Sequence, residues 1–197
     1  DPSDYYRSRL GDGYLYGTFG GLVDLGSSLS FTYEPRLYFP TSGLEQNTGF
    51  LLGTRQYLKF DWRLSPMISL AFAEVPILRF HSRNGYEAKD ELHANHSFEN
   101  RIEAGPEFSF FNEKLKVSLP LIFQARRHRE FNADAIGNNT WTYSVWIAPE
   151  AIVKVTETTN IGMSYYSDDF TENDLSQLNI GTGLEQGTIQ MILQQNL

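Results

Sequence analysis

Apolar and polar residues alternate along most of this chain. From Leu29 the odd positions are Leu29, Phe31, Tyr33, Pro35, Leu37 and Phe39, and the even ones are Ser30, Thr32, Glu34, Arg36 and Tyr38. The pattern returns at Leu58, Phe60, Trp62 and Leu64 against Lys59, Asp61, Arg63 and Ser65. It returns again at Phe98, Ile102, Ala104, Pro106, Phe108 and Phe110 against Glu99, Arg101, Glu103, Glu107 and Ser109. Leu115 to Phe123 and Trp141 to Val155 repeat it, with Lys116 and Lys154 on the polar phase. A period of two means strands with one apolar and one polar face, and no segment carries a 3.6-residue stripe. Eight strands are expected at 14–25, 29–40, 50–65, 68–82, 98–112, 115–130, 141–157 and 161–167. In the tail, Leu178, Ile180, Thr182 and Leu184 give way to Ile189, Met191 and Leu193, so the phase switches near Glu185-Gln186-Gly187. A switch of phase marks a turn or a bulge. Ten strands result if the tail is two strands, or if residues 4–10 form a first strand and the tail is one, within a range of 8–12.

The strands are long, and their connections are unequal. Short turns are expected at Gly26-Ser27-Ser28, Ser65-Pro66-Met67, Asn112-Glu113-Lys114 and Thr158-Thr159-Asn160. Between them lie longer polar segments at Thr41–Gly49, Arg83–Ser97, Phe131–Thr140 and Ser167–Gln177. Strands of about 11 to 17 residues exceed the usual 5 to 6 and suit a tilted membrane crossing of about 9 to 11. No stretch approaches the roughly 20 apolar residues of a spanning helix.

Volume chooses which face is inside. A barrel of about eight strands has just enough interior for its own side chains. Five or six large apolar residues from each of about ten strands would overfill it. The polar set is therefore expected inside: Glu34, Arg36, Lys59, Asp61, Arg63, Glu99, Arg101, Glu103, Glu107, Lys116 and Lys154, a mixed-charge ladder able to pair within a lumen. The alternative is a soluble β-sandwich whose two sheets share the apolar faces.

With these strands and turns the chain resembles bacterial outer-membrane β-barrel proteins as a broad class. The resemblance is one of architecture across nearly the whole chain, with no family signature. It implies an all-β, antiparallel up-and-down barrel spanning residues 1–197 as one domain, in the bacterial outer membrane, as a mature chain freed of its signal peptide. It also implies lipid and lipopolysaccharide as partners. Such proteins commonly end in an aromatic residue, and here the last residue is Leu197, with Gln195 breaking the alternation.

Composition then fits. Fourteen Phe, 11 Tyr and 3 Trp supply a lipid-facing surface, and a mean hydropathy of −0.37 averages that surface with charged positions. The net charge of −8 argues against nucleic acid, which calls for a basic stripe. The absence of cysteine removes disulfide and thiolate chemistry and suits passage through an oxidising periplasm.

Some positions break the pattern. Glu74 and Asn100 fall on the apolar phase and are candidate subunit contacts in a homo-oligomer. Arg126, Arg127 and Arg129 are candidate contacts to lipopolysaccharide phosphates, which guanidinium groups bind in bidentate fashion. His93, His96 and Glu91 have ligand chemistry, but they sit on a segment read as loop, so no metal and no cofactor is expected. His81–Ser82 and His96–Ser97 are adjacent pairs, which in a strand point to opposite faces and cannot form a nucleophile–base pair. The function expected is a porin-like or structural barrel, without catalytic residues. The alternatives are a lipid-modifying or proteolytic outer-membrane enzyme and an adhesion protein acting through its loops.

Overall fold

The computed structural model describes residues 13–20, 28–41, 48–88, 90–171, 179–185 and 187–195. The expected turn at Gly26-Ser27-Ser28 falls mostly outside them, as do the expected strand at residues 4–10 and much of the Ser167–Gln177 segment.

The chain is all-β and mostly antiparallel. Its strands are β1 (Tyr14–Tyr16), β2 (Phe19–Gly20), β3 (Leu29–Tyr38), β4 (Phe50–Arg63), β5 (Ile68–His81), β6 (Gly85–Ala88) and β7 (Glu91–Ala94). They continue with β8 (His96–Phe110), β9 (Leu115–Ser118), β10 (Leu121–His128), β11 (Trp141–Ile147), β12 (Glu150–Lys154), β13 (Thr159–Tyr166) and β14 (Thr188–Gln195). Twelve of them form one meander, in which β1/β2, β9/β10 and β11/β12 are interrupted halves of single strand lines, leaving nine lines. Pro120 and Pro149 stand at the latter two interruptions, where the missing proline N–H removes a ladder bond. β6 and β7 pair separately as a small hairpin.

The short connections 64–67, 111–114 and 155–158 lie at one end of the sheet, the turn end. The long ones lie at the other, the loop end. β14 pairs β13, and β1 and β2 pair β3; no pairing joins β14 to β1 or β2 among the described residues. Of the expected barrel, the long antiparallel sheet is present and no closed barrel is formed among the described residues; strands from β4 to β13 line one cavity of about 610 Å³.

Two expectations change. Residues 180–184 are not a strand: Ile180–Glu185 is a six-residue helix, α1, and the phase switch is the junction between α1 and β14. α1 is fixed by its neighbours rather than by an apolar stripe. The Asp168 N–H donates to the Gly183 carbonyl (2.8 Å), and the Phe170 ring lies where a Gly183 Cβ would stand (2.4 Å). Residues 83–97 are not wholly loop, because they hold the β6–β7 hairpin and the first two residues of β8. The four-residue strands of that hairpin are too short for alternation to reveal.

The sheet is inverted relative to a soluble protein. Val75 and Ile77 (0% and 2% exposed) share the inner face with Glu34 and Glu99 (8% and 4%). Trp62, Leu70, Phe72, Leu78, Phe80, Leu121 and Trp141 are exposed on the other face. Only Tyr57, Val75 and Ile77, with Ala73 against them, make an apolar cluster among the described buried residues.

Gly105 shows how tightly the wall closes on itself. A Cβ there would stand 2.3 Å from the Leu119 carbonyl oxygen and 2.8 Å from Pro120 Cα, both backbone atoms. We expect Gly105→Ala to lower unfolding free energy by about 1–3 kcal/mol, the usual cost of overpacking. Gly20→Ala, which meets nothing within 4 Å, serves as the control. Urea unfolding in a fixed detergent compares the two.

Candidate functional site

The inner face is a charge ladder, and the strand register sets its rungs. Glu34 on β3 accepts from Arg36 Nε (2.7 Å) and Lys59 Nζ (3.1 Å), and the Arg36 guanidinium lies over the Tyr57 ring at 4.3 Å. Arg101 pairs with Glu103 (2.8 Å) and donates to the Tyr57 hydroxyl (3.4 Å). Glu99 accepts from the Gln124 amide and stands 3.5 Å from Arg126 Nε. Asp61, Arg63, Glu107, Glu113 and Lys116 line a second cavity at the turn end, where Arg63 pairs with Glu113 (3.5 Å). Lys154 lies on the turn-end rim, paired with Glu157 (2.7 Å).

The ladder is not mixed evenly. Arg36, Arg55, Arg79, Arg101 and Arg126 gather toward the loop end, with Glu34 and Glu99 among them. Asp61, Glu103, Glu107 and Glu150 gather toward the middle and the turn end, with Lys59, Arg63 and Lys116. Arg55 and Glu150 were legible as inner positions, because they share the phase of Tyr57 and Ser118 through the pairings Arg36↔Arg55 and Glu150↔Ser118.

At the loop end the cavity opens into a chamber of about 690 Å³. Arg55, Arg79, Arg101, Arg126, His96 and His128 face it from β4, β5, β8 and β10. His81, His96 and His128 come together although they stand far apart in sequence. The ring centres are 6.4 Å apart for His81–His96 and 5.9 Å for His96–His128. His128 Nδ1 is 3.0 Å from the Ala94 carbonyl, and Nε2 is 3.0 Å from Thr142 Oγ1. With the proton on Nδ1, the Thr142 hydroxyl donates to Nε2. Alternation could not show this pair, because its members sit on neighbouring strands. His93 stacks on Tyr86 (5.3 Å) across the β6–β7 hairpin. No group of three metal-ligating side chains occurs among the described residues, His93, His96 and Glu91 included.

One buried amide ties the chamber's mouth together. Asn95 is 2% exposed. Its Nδ2 donates to the Thr48 carbonyl (2.8 Å) and the Arg83 carbonyl (3.0 Å). Its own N–H donates to the Asn84 carbonyl, and its carbonyl accepts from the Arg129 N–H, both at 2.8 Å. The connections after β3, β5 and β10 therefore meet at one residue. Asp169 braces the fourth, accepting from the N–H groups of Val145 (2.9 Å) and Thr171 (3.0 Å) and from the Thr171 hydroxyl (2.8 Å).

The basic run is divided by strand geometry. Arg126 faces inward to Glu99 and Gln124. Arg127 faces outward and donates to the Asn139 carbonyl (2.7 Å) and side chain. Arg129 donates to the Asn84 side chain (3.3 Å). The three do not form one patch, because consecutive strand residues alternate faces. Glu74 and Asn100 do come together: the Asn100 amide donates to the Glu74 carboxylate across β5 and β8 (3.2 Å). Beside them the Tyr33 hydroxyl donates to Gln56. These outer-face polar groups therefore have partners within one chain.

His81 and His96 stand at the loop-end tips of β5 and β8, beyond the outward rings of Phe80 and Phe98. Burial, with Arg129 and Arg79 nearby, pushes the His81 imidazole down to about 4; burial, with Arg79 and Arg126, pushes His96 down to about 2. The unfolded chain protonates both near their ordinary 6.5, before the folded chain does, so acid favours unfolding. We expect stability to fall as the pH drops from about 6.5 through 4, with a shallower fall in His81→Gln, measured by urea unfolding across that range. No protein-family model matches this chain, and no curated protein and no solved structure matches it, so its function is read from its own geometry.

Proposed function

We propose that this chain is an integral β-barrel of the bacterial outer membrane with a porin-like or structural role. The observation that carries the reading is the inversion of the sheet: charged and polar side chains line the concave face, and large apolar side chains cover the convex one. An apolar face of this extent is stable against lipid and costly against water. Strands β4, β5 and β8, of 14, 14 and 15 residues, are long enough to cross. Short turns at one end and long connections at the other match the layout of such barrels.

Lipid leaves no water for an open strand edge, so the reading requires closure. β14 runs in the same direction as β1 and β2, and nine strand lines are odd. An antiparallel closure needs one further strand, and the segment 4–10, expected as a strand from sequence, lies outside the described residues. Glu74 accepts from the Asn100 amide within one chain, so Glu74 by itself does not call for a second subunit.

Fractionation tests the reading directly. The full chain should sediment with membranes and need detergent for extraction; a stable monomer in the soluble fraction without detergent would overturn it. Planar bilayers then separate the two roles. Stepwise conductance marks a pore, and its complete absence marks a structural barrel.

The His128–Thr142 pair favours a second reading, an outer-membrane hydrolase. Acceptor, imidazole and hydroxyl stand in the order in which a base activates a nucleophile. That reading expects ester hydrolysis by the purified chain that is lost in His128→Ala and in Thr142→Val. Equal turnover in the variants removes it.

A further inference from the structure

We propose that the loop-end chamber is a binding site for a small soluble oxyanion, a phosphate or carboxylate compound, held by Arg55, Arg79 and Arg126. The site stands whether or not the barrel conducts.

Three observations converge on it. The chamber, about 690 Å³, has the volume of a small-molecule site. Its guanidinium groups arrive from separate strands, β4, β5 and β10, fixed by the register of one sheet rather than by mobile loops. A site built on strands holds its donors at set distances, which bidentate recognition of an oxyanion requires.

The carboxylates of the chamber are already engaged. Glu99 accepts from Gln124 and lies beside Arg126, Asp168 accepts from the Asp169 N–H (2.8 Å), and Asp169 accepts three hydrogen bonds from Val145 and Thr171. Among the described residues no carboxylate stands within ion-pair distance of Arg55. Its guanidinium instead lies over the Tyr38 ring at 4.6 Å, is hydrogen-bonded to Tyr57 and borders the chamber. Stacking and that bond hold the guanidinium plane in place, and a guanidinium has five N–H donors, more than one such bond uses. Arg79 borders the same space from β5, with the Phe50 ring 5.8 Å away.

The chamber lies on the concave side, away from the exposed apolar face, so the anion comes from solution and not from a lipid headgroup. Arg127, on the outer face, is placed for the latter.

The test uses the full chain in an uncharged detergent, titrated with inorganic phosphate and with citrate at constant ionic strength by isothermal calorimetry. Saturable binding of at least one anion is expected. Arg55→Gln and Arg79→Gln should each weaken it about tenfold or more, the loss of a charge-assisted hydrogen bond. Arg63→Gln at the turn-end rim and Arg127→Gln on the outer face should leave it unchanged. Arg55→Lys keeps the charge and loses the fork, and it replaces Arg55→Gln if that variant does not fold; it too should bind more weakly. Circular dichroism and thermal melting establish that each variant is folded. Absence of saturable binding by the folded wild-type chain overturns the proposal. So does equal binding in the folded Arg55 and Arg79 variants, or a loss confined to Arg127→Gln, which would place the anion at the lipid-facing rim.

Discussion

A charge turned away from water must meet an opposite charge or a hydrogen bond, and in this chain that requirement falls on the concave face of one curled sheet. Removing one member of a buried pair costs about 3–5 kcal/mol, because its partner is left uncompensated. Glu34 between Arg36 and Lys59, and Glu99 between Gln124 and Arg126, are buried carboxylates whose cations stay 23–36% exposed, so the loss there is smaller. The pairs depend on register. Because side chains alternate with a period of two, a one-residue slip of β4 against β3 would send Lys59 to the outer face and leave Glu34 short of a partner. The charges therefore fix the alignment of strands as firmly as an apolar core fixes it elsewhere, and the apolar cluster at Tyr57, Val75 and Ile77 has little to add.

The ladder carries a second order, along the axis. Arginines concentrate where the long connections meet, and carboxylates concentrate toward the short turns. A solute moving through such a space would meet a field that changes sign along its path, and charged linings of this kind set selectivity in pores. The same segregation makes the loop-end chamber chemically distinct from the rest of the concave face. It collects guanidinium and imidazole groups where uniform pairing would cancel them.

Much of this was legible in the sequence. Alternation placed β3, β4, β5, β8, β10, β11 and β13 to within a few residues and named the inner charges, because a strand's facing is fixed by parity alone. The volume argument chose the face. Parity cannot show which strands stand side by side at one level, and the site depends on that. His81, His96 and His128 are each at the tip of a different strand, and only the register brings them together. The run Arg126–Arg129 looked like a patch because it is contiguous, yet contiguity in a strand divides residues between faces. The β6–β7 hairpin and α1 escaped for another reason. Each is shorter than the window in which a period can be recognised, and each is held by tertiary contacts, as at Gly183 against Phe170.

The junction at Asn95 has a further consequence. Its amide grips the carbonyl groups of Thr48 and Arg83, and its backbone grips those of residue 84 and the N–H of residue 129. Every one of these partners is main chain. The tie therefore does not read the side chains of the connections it joins. The relative placement of three connections is thus written in main-chain geometry, which any sequence there carries, and it is specified by the identity of one residue, Asn95.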